Sequence, residues 1–123
     1  MNNEGKKTLV IGASENPARY SYLAINKLRQ RGHPVVAIGR RTGNVSDVAV
    51  IKDKIPVDDI DTVTLYLNNR HQQEYHDYIL SLKPKRIIFN PGAENPELEK
   101  LADENGIETM EACTLVLLST GQY

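Results

Sequence analysis

The chain predicts an α/β fold built on a mainly parallel sheet of five or six strands, with helices on both faces. Three observations carry that prediction. Short apolar runs such as Thr8-Leu9-Val10-Ile11 and Val35-Val36-Ala37-Ile38 show no polar alternation, as expected of strands covered on both sides. Amphipathic stretches of helical length separate strands, so the strands connect through right-handed crossovers. The strand ends open into loops rich in glycine, amide or basic residues: Gly12 to Arg19, Gly39 to Gly43, Asn68 to Arg70 and Pro91 to Asn95. In parallel sheets such carboxyl-end loops converge where the strand order reverses and form the ligand crevice.

Composition sets the limits. The 123 residues read as one domain, 1–123, and 40% apolar with 25% charged residues is an ordinary globular balance. A net charge of -1 argues against a broad nucleic-acid footprint. The single cysteine excludes an intramolecular disulfide framework and fits a reducing compartment. No signal-peptide core follows Met1, and no apolar run approaches membrane-spanning length. The expectation is a soluble cytoplasmic protein with no membrane partner.

The first strand breaks at Gly12, and beyond Pro17 an amphipathic pattern places Tyr20, Leu23, Ala24 and Leu28 on one face. Pro17 at the helix entrance loses nothing, because its missing N–H would be unpaired there. A strand, tight turn and helix in this order present free N–H groups and a positive helix end to an anion. The pattern Gly-x-Gly-x-x-Gly is absent, since Ser14 and Pro17 stand where its later glycines belong. Ser14 and Asn16 offer hydrogen bonds instead, and Arg19 offers a charge. The turn therefore suits a phosphate ligand other than an ordinary dinucleotide, or is a plain β–α turn.

Gln30-Arg31-Gly32-His33-Pro34 stops this helix, with Gly32 suited to a left-handed C-terminal position. The second strand, Val35 to Ile38, ends at Gly39, Arg40 and Arg41. An NAD site would carry an acid near here to meet the ribose. Two arginines instead fit a phosphate on or near a ribose, or are solvated surface charges. Val45 to Ile51 reads as a short edge strand, and Ile55 to Asp61 as a loop with at most one helical turn. Thr62 to Leu67 is a strand, and Asn69 is a candidate cap for a helix burying His71, Tyr75, Tyr78, Ile79 and Leu82. Pro84 closes that helix, Arg86 to Phe89 is the next strand, and Asn90 to Glu94 is its turn. Asn95 caps a helix with Pro96 first in line, Glu97 and Glu99 against its dipole, and Leu98, Leu101 and Ala102 buried. Gly106 ends it, Ile107 to Met110 is the last strand, and Cys113 to Leu118 fits a strand or a short helix equally.

Gly12-Ala13-Ser14-Glu15-Asn16-Pro17-Ala18-Arg19-Tyr20-Ser21-Tyr22 resembles the opening motif of small stand-alone CoA-binding domain proteins, which are similar to the N-terminal domain of the succinyl-CoA synthetase alpha subunit. Gly32-His33-Pro34-Val35, Asn90 to Asn95, and Met110-Glu111-Ala112-Cys113 resemble the later motifs in order and spacing. The resemblance implies a Rossmann-like three-layer α/β/α fold that binds CoA or acyl-CoA. It implies that Gly12, Ala13 and Ser14 approach the pyrophosphate, with Asn16 and Arg19 beside it. Arg40 and Arg41 would meet the ribose phosphate, although the family more often has proline and lysine there. Leu67 and Asn68 would flank the adenine or pantetheine, and Gly92, Ala93 and Glu94 the far side. Pro17, Tyr20, Gly39 and Pro91 complete the candidate set.

No catalytic constellation emerges. In the ligase relatives the phosphorylated histidine lies in a further domain that has no counterpart here. His33 reads as a turn residue, His76 as lying on a solvated helix face, and His71 as the one histidine beside the site. No His or Cys pair has metal-ligand spacing, so no metal is expected. Cys113 is the one candidate nucleophile and reads better as core, and Glu94 reads better as structural than as an acid or base. The favoured function is non-catalytic binding of CoA or acyl-CoA. One alternative is an NADP-binding protein or small oxidoreductase. Another is a protein-interaction module with a vestigial nucleotide site. An exposed sheet edge would allow a homodimer.

Overall fold

The computed structural model describes residues 5–123. Among them, seven strands form one sheet in the order β3-β4-β2-β1-β5-β6-β7. The strands are β1 (Thr8–Ala13), β2 (Val35–Gly39), β3 (Gly43–Val45), β4 (Val48–Ile51), β5 (Thr62–Leu65), β6 (Arg86–Phe89) and β7 (Glu108–Glu111). Every neighbouring pair is parallel except β3 and β4. The chain grows outward from β1 through β2 and β4, then returns to lay β5, β6 and β7 on the other side. The order reverses between β1 and β5, which is where a crevice is expected.

Helices α1 (Tyr20–Gln30) and α5 (Thr114–Ser119) cover one face, while α2 (Asn69–Gln72), α3 (His76–Leu82) and α4 (Pro96–Glu104) belong to the other. Alternate side chains of each interior strand feed the two cores. Leu9 and Ile11 pack with Ile38, Val63, Leu65, Ile79 and Leu98, whereas Val10 packs with Ala37, Ile25, Leu28 and Leu118. This is the three-layer α/β/α arrangement. No helix of the described residues is long and apolar enough to cross a membrane.

Several elements differ from the sequence expectation. The sheet has seven strands rather than five or six because Gly43 to Ile51 folds as a hairpin, β3 and β4, with Ser46 left-handed at φ 56°. Asp47 in that turn accepts two hydrogen bonds from Arg29 of α1, both 2.9 Å, which pin the hairpin and hold the carboxyl below its ordinary value. The buried face of α1 is Ser21, Ala24, Ile25 and Leu28; Tyr20 is 71% exposed and Leu23 is 43% exposed. Pro17 lies in a turn closed by the Arg19 N–H to Asn16 carbonyl bond, and α1 begins only at Tyr20. Asn68, not Asn69, caps α2 by accepting the His71 N–H. The single helix expected beyond it is split by a 3₁₀ turn, Gln73–Tyr75, and His71 is exposed rather than on the buried stripe. His76 is buried against the Asn95 side-chain amide rather than solvated. Cys113 to Leu118 resolves as helix, with Cys113 at the N-cap of α5.

At the opposite end of the sheet from the crevice, the Tyr123 ring closes the fold. His33 meets it edge-on at 4.9 Å, and the Arg86 guanidinium lies 4.5 Å from its centroid. His33 Nδ1 accepts the Lys6 backbone N–H at 2.8 Å, so that nitrogen must be unprotonated. Burial, reinforced by the charges of Lys6, Arg86 and Arg31 against the pull of Asp61, holds His33 below its ordinary value of 6.5. The stability that neutral His33 contributes is complete above that value and is lost as pH falls through it toward the lower folded value. Urea midpoints measured from about pH 8 to 5 should therefore fall more steeply for the wild-type chain than for His33→Phe, which keeps the ring but cannot titrate.

Candidate functional site

The carboxyl ends of β1, β2 and β5 enclose an open cleft of about 960 Å³. Its floor depends on backbone approach. Gly12 sits at φ +91°, and a Cβ there would stand 3.0 Å from the Tyr66 carbonyl carbon and 3.2 Å from the Leu67 side chain. Gly39 packs so closely that a Cβ would lie 2.2 Å from the Ala13 carbonyl oxygen. The end of β1 is thus held against its neighbours on both sides, which fixes the loops that leave them.

The loop between β1 and α1 shapes itself. The Ser14 hydroxyl oxygen accepts the Asn16 N–H at 3.1 Å, and the Asn16 side-chain Oδ1 accepts the Ala18 N–H at 3.0 Å. These bonds leave the Ser14 O–H and the Asn16 side-chain N–H groups to donate elsewhere. Arg19, Arg40 and Arg41 all line the cleft, all are exposed, and among the described residues none forms a salt bridge. Glu15 is the one carboxylate in the lining, and it accepts the Asn44 N–H at 2.9 Å.

Of the residues singled out in the sequence, Gly12, Ala13, Ser14, Asn16, Arg19, Tyr20, Arg40, Arg41, Leu67, Asn68 and Pro91 come together around this cleft. Five do not. Pro17 is exposed outside the lining, and Gly39 is buried beneath it. Ala93 is core, 1% exposed, with its carbonyl taken by the Gln72 side chain at 2.7 Å. Gly92 gives its N–H to the Glu94 carboxylate, so this turn folds on itself and contributes only Pro91 to the cleft wall. Cys113 likewise lies outside the lining.

The sequence reading missed Glu15, Ala18, Ser21, Thr42 and Tyr66 as lining residues; His71, the one histidine it set beside the site, does line the cleft. The signal for Tyr66 was present, because it falls on the same strand face as Thr64, two residues earlier. It lines the cleft while its hydroxyl is buried without a hydrogen-bond partner. Burial pushes the phenol well above its ordinary value, so it stays neutral. Among the described residues no three His, Cys, Asp or Glu side chains gather as metal ligands would.

The family model for a CoA binding domain matches residues 6–119. The chain belongs to that family. A crystallised protein described as uncharacterized is 49% identical, with a TM-score of 0.94 over 98% of this chain and 100% of its own. A hypothetical protein from Pyrococcus horikoshii OT3 is 23% identical, with a TM-score of 0.85 over 94% of this chain and 83% of its own. A cell-free protein, ID.343, from Thermus thermophilus is 21% identical, with a TM-score of 0.76 over 96% of this chain and 91% of its own. The latter two share the fold. Comparison with curated proteins gave no match. Membership of the CoA-binding domain family supports CoA as the small-molecule ligand.

Proposed function

We propose that this protein binds CoA or an acyl-CoA in the cleft without transforming it. The observation that carries the reading is the set of three guanidiniums, Arg19, Arg40 and Arg41, around a glycine-floored loop at the reversal of strand order. CoA bears a pyrophosphate and a separate ribose 3′-phosphate, so it needs two anion sites. The loop from Gly12 to Ser14, with Arg19, suits the first. Arg40 and Arg41 suit the second, through charge-assisted bonds. Tyr20, Tyr66 and Leu67 supply the apolar and aromatic surface that adenine and pantetheine require.

Calorimetric titration with CoA, dephospho-CoA, NADP and NAD tests this. Micromolar CoA binding is expected, weakened for dephospho-CoA. Changing Arg40 and Arg41 together to alanine should reduce CoA affinity about tenfold or more while leaving dephospho-CoA nearly unaffected. Tighter binding of NADP would overturn the reading in favour of a dinucleotide protein, whose 2′-phosphate would suit the same arginines. Binding of none of the four would leave an interaction module.

A further inference from the structure

We infer that Glu15 is a positioning residue, a carboxylate clasp that holds the Arg40–Asn44 loop against the β1–α1 loop and so sets selectivity for a ribose-phosphorylated ligand. This rests on the CoA reading of the cleft. The Glu15 carboxylate crosses from one anion loop to the other and accepts the Asn44 N–H at 2.9 Å. β3 is the outermost strand of the sheet, so Asn44 has no further strand to receive that N–H, and Glu15 takes the place of one. Gly43 makes room for the contact, since a Cβ there would lie 2.5 Å from the carboxyl carbon. The side-chain oxygens of Ser14 and Asn16 on either side accept bonds within their own loop. Arg40 and Arg41 stand between the buried end of β2 and the clasped start of β3, and their backbone is therefore held at both ends.

A loop held in place before the ligand arrives does not lose that freedom on binding. The carboxylate also lies in a cleft meant for anions, so its contribution is geometric and its charge works against the ligand. Glutamine keeps the acceptor oxygen and removes the charge; alanine removes both. Glu15→Ala should therefore weaken CoA about tenfold and dephospho-CoA by less than about twofold, erasing most of the discrimination between them. Glu15→Gln should bind CoA at least as tightly as the wild-type chain. Amide hydrogen exchange of the free protein supplies a readout that needs no ligand. The Asn44 N–H should exchange slowly in the wild type and in Glu15→Gln, and faster in Glu15→Ala.

Equal Asn44 exchange in the wild type and Glu15→Ala would overturn the clasp, as would Glu15→Gln binding CoA as weakly as Glu15→Ala. Uniform weakening of CoA and dephospho-CoA would overturn the selectivity role. Failure of the wild-type chain to bind CoA would sink the CoA reading instead, and with it the selectivity role; Asn44 exchange would then decide the clasp alone.

Discussion

Gly39→Ala is expected to cost about 3 kcal/mol of stability or more, and to remove CoA binding from whatever fraction folds. The added Cβ would meet the Ala13 carbonyl oxygen at 2.2 Å, the Ala13 carbonyl carbon at 3.1 Å and the Val50 side chain at 3.0 Å. The first two belong to the backbone of an interior strand and have no rotamer to escape into. The pairing explains why the approach is so close. β1 and β2 run in register from Thr8 with Val35 to Ile11 with Ile38, then shift so that Ala13 faces Gly39. That irregularity at Gly12 presses the end of β1 onto its neighbour. Relief would require parting two strands whose Val10, Ile11 and Ile38 side chains are wholly buried, or moving Arg40 and Arg41. Denaturant midpoints and a CoA titration on the same sample measure both losses. Gly43→Ala is the contrast: the three atoms nearest its Cβ all belong to the end of the flexible Glu15 side chain, which can swing away. Its stability should stay within about 1 kcal/mol of wild type. Similar losses in the two variants would show that the β1–β2 approach is looser in solution.

What was legible in the sequence follows the same physics. Strands β1, β2, β5 and β6 are largely apolar or β-branched runs because helices or loops cover both sides. The similar run Leu115 to Leu118 folds as helix, and periodicity could not tell the two apart. The placement of the glycine and arginine loops around the cleft was legible because they follow strand ends, which a parallel sheet gathers on one side. The face of α1 was misread where apolarity serves the cleft rather than the core. Tyr20 lines the cleft at 71% exposed, while Ser21, polar by type, is 3% exposed. The interrupted helix beyond Asn68 escaped notice for a related reason. Gln72 is fully buried, giving its amide N–H groups to the Leu67 and Ala93 carbonyls and receiving the Asn95 amide at 3.0 Å. A satisfied amide of this kind fastens α2 to the turn before α4, yet hydropathy scores it as surface. His76, beside the same Asn95, was misplaced with it. The fate of Gly92, Ala93 and Glu94 turned on which N–H the Glu94 carboxylate would take, which spacing alone does not state.

The most consequential of these hidden amides is Asn90, and Asn90→Leu should destabilise the protein by about 3–5 kcal/mol. Asn90 is 2% exposed at the end of β6. Its amide nitrogen donates to Thr64 Oγ1 at 2.7 Å and to the Leu65 carbonyl at 2.9 Å, and its oxygen accepts the Thr114 N–H at 2.9 Å. One side chain therefore joins the ends of β5 and β6 to the first residue of α5, whose N-cap Cys113 supplies no side-chain bond. Leucine fills nearly the same volume but leaves the Thr114 N–H and the second Leu65 bond without their partner, at about 1–3 kcal/mol for each buried group. Thr64→Val removes the acceptor of one Asn90 bond and the hydroxyl contact with Thr114 at 2.8 Å but leaves the Asn90 bonds to the Leu65 carbonyl and the Thr114 N–H. It should therefore cost about 1–3 kcal/mol, less than Asn90→Leu. The consequence reaches the cleft because Thr64 and Leu65 lead directly into its wall at Tyr66, Leu67 and Asn68. Urea denaturation separates the two variants, and CoA titration of Asn90→Leu well below its denaturation midpoint reads the displaced wall as weakened binding. Equal destabilisation by Thr64→Val and Asn90→Leu would mean that the buried hydroxyl pair, rather than the amide bridge, ties α5 to the sheet.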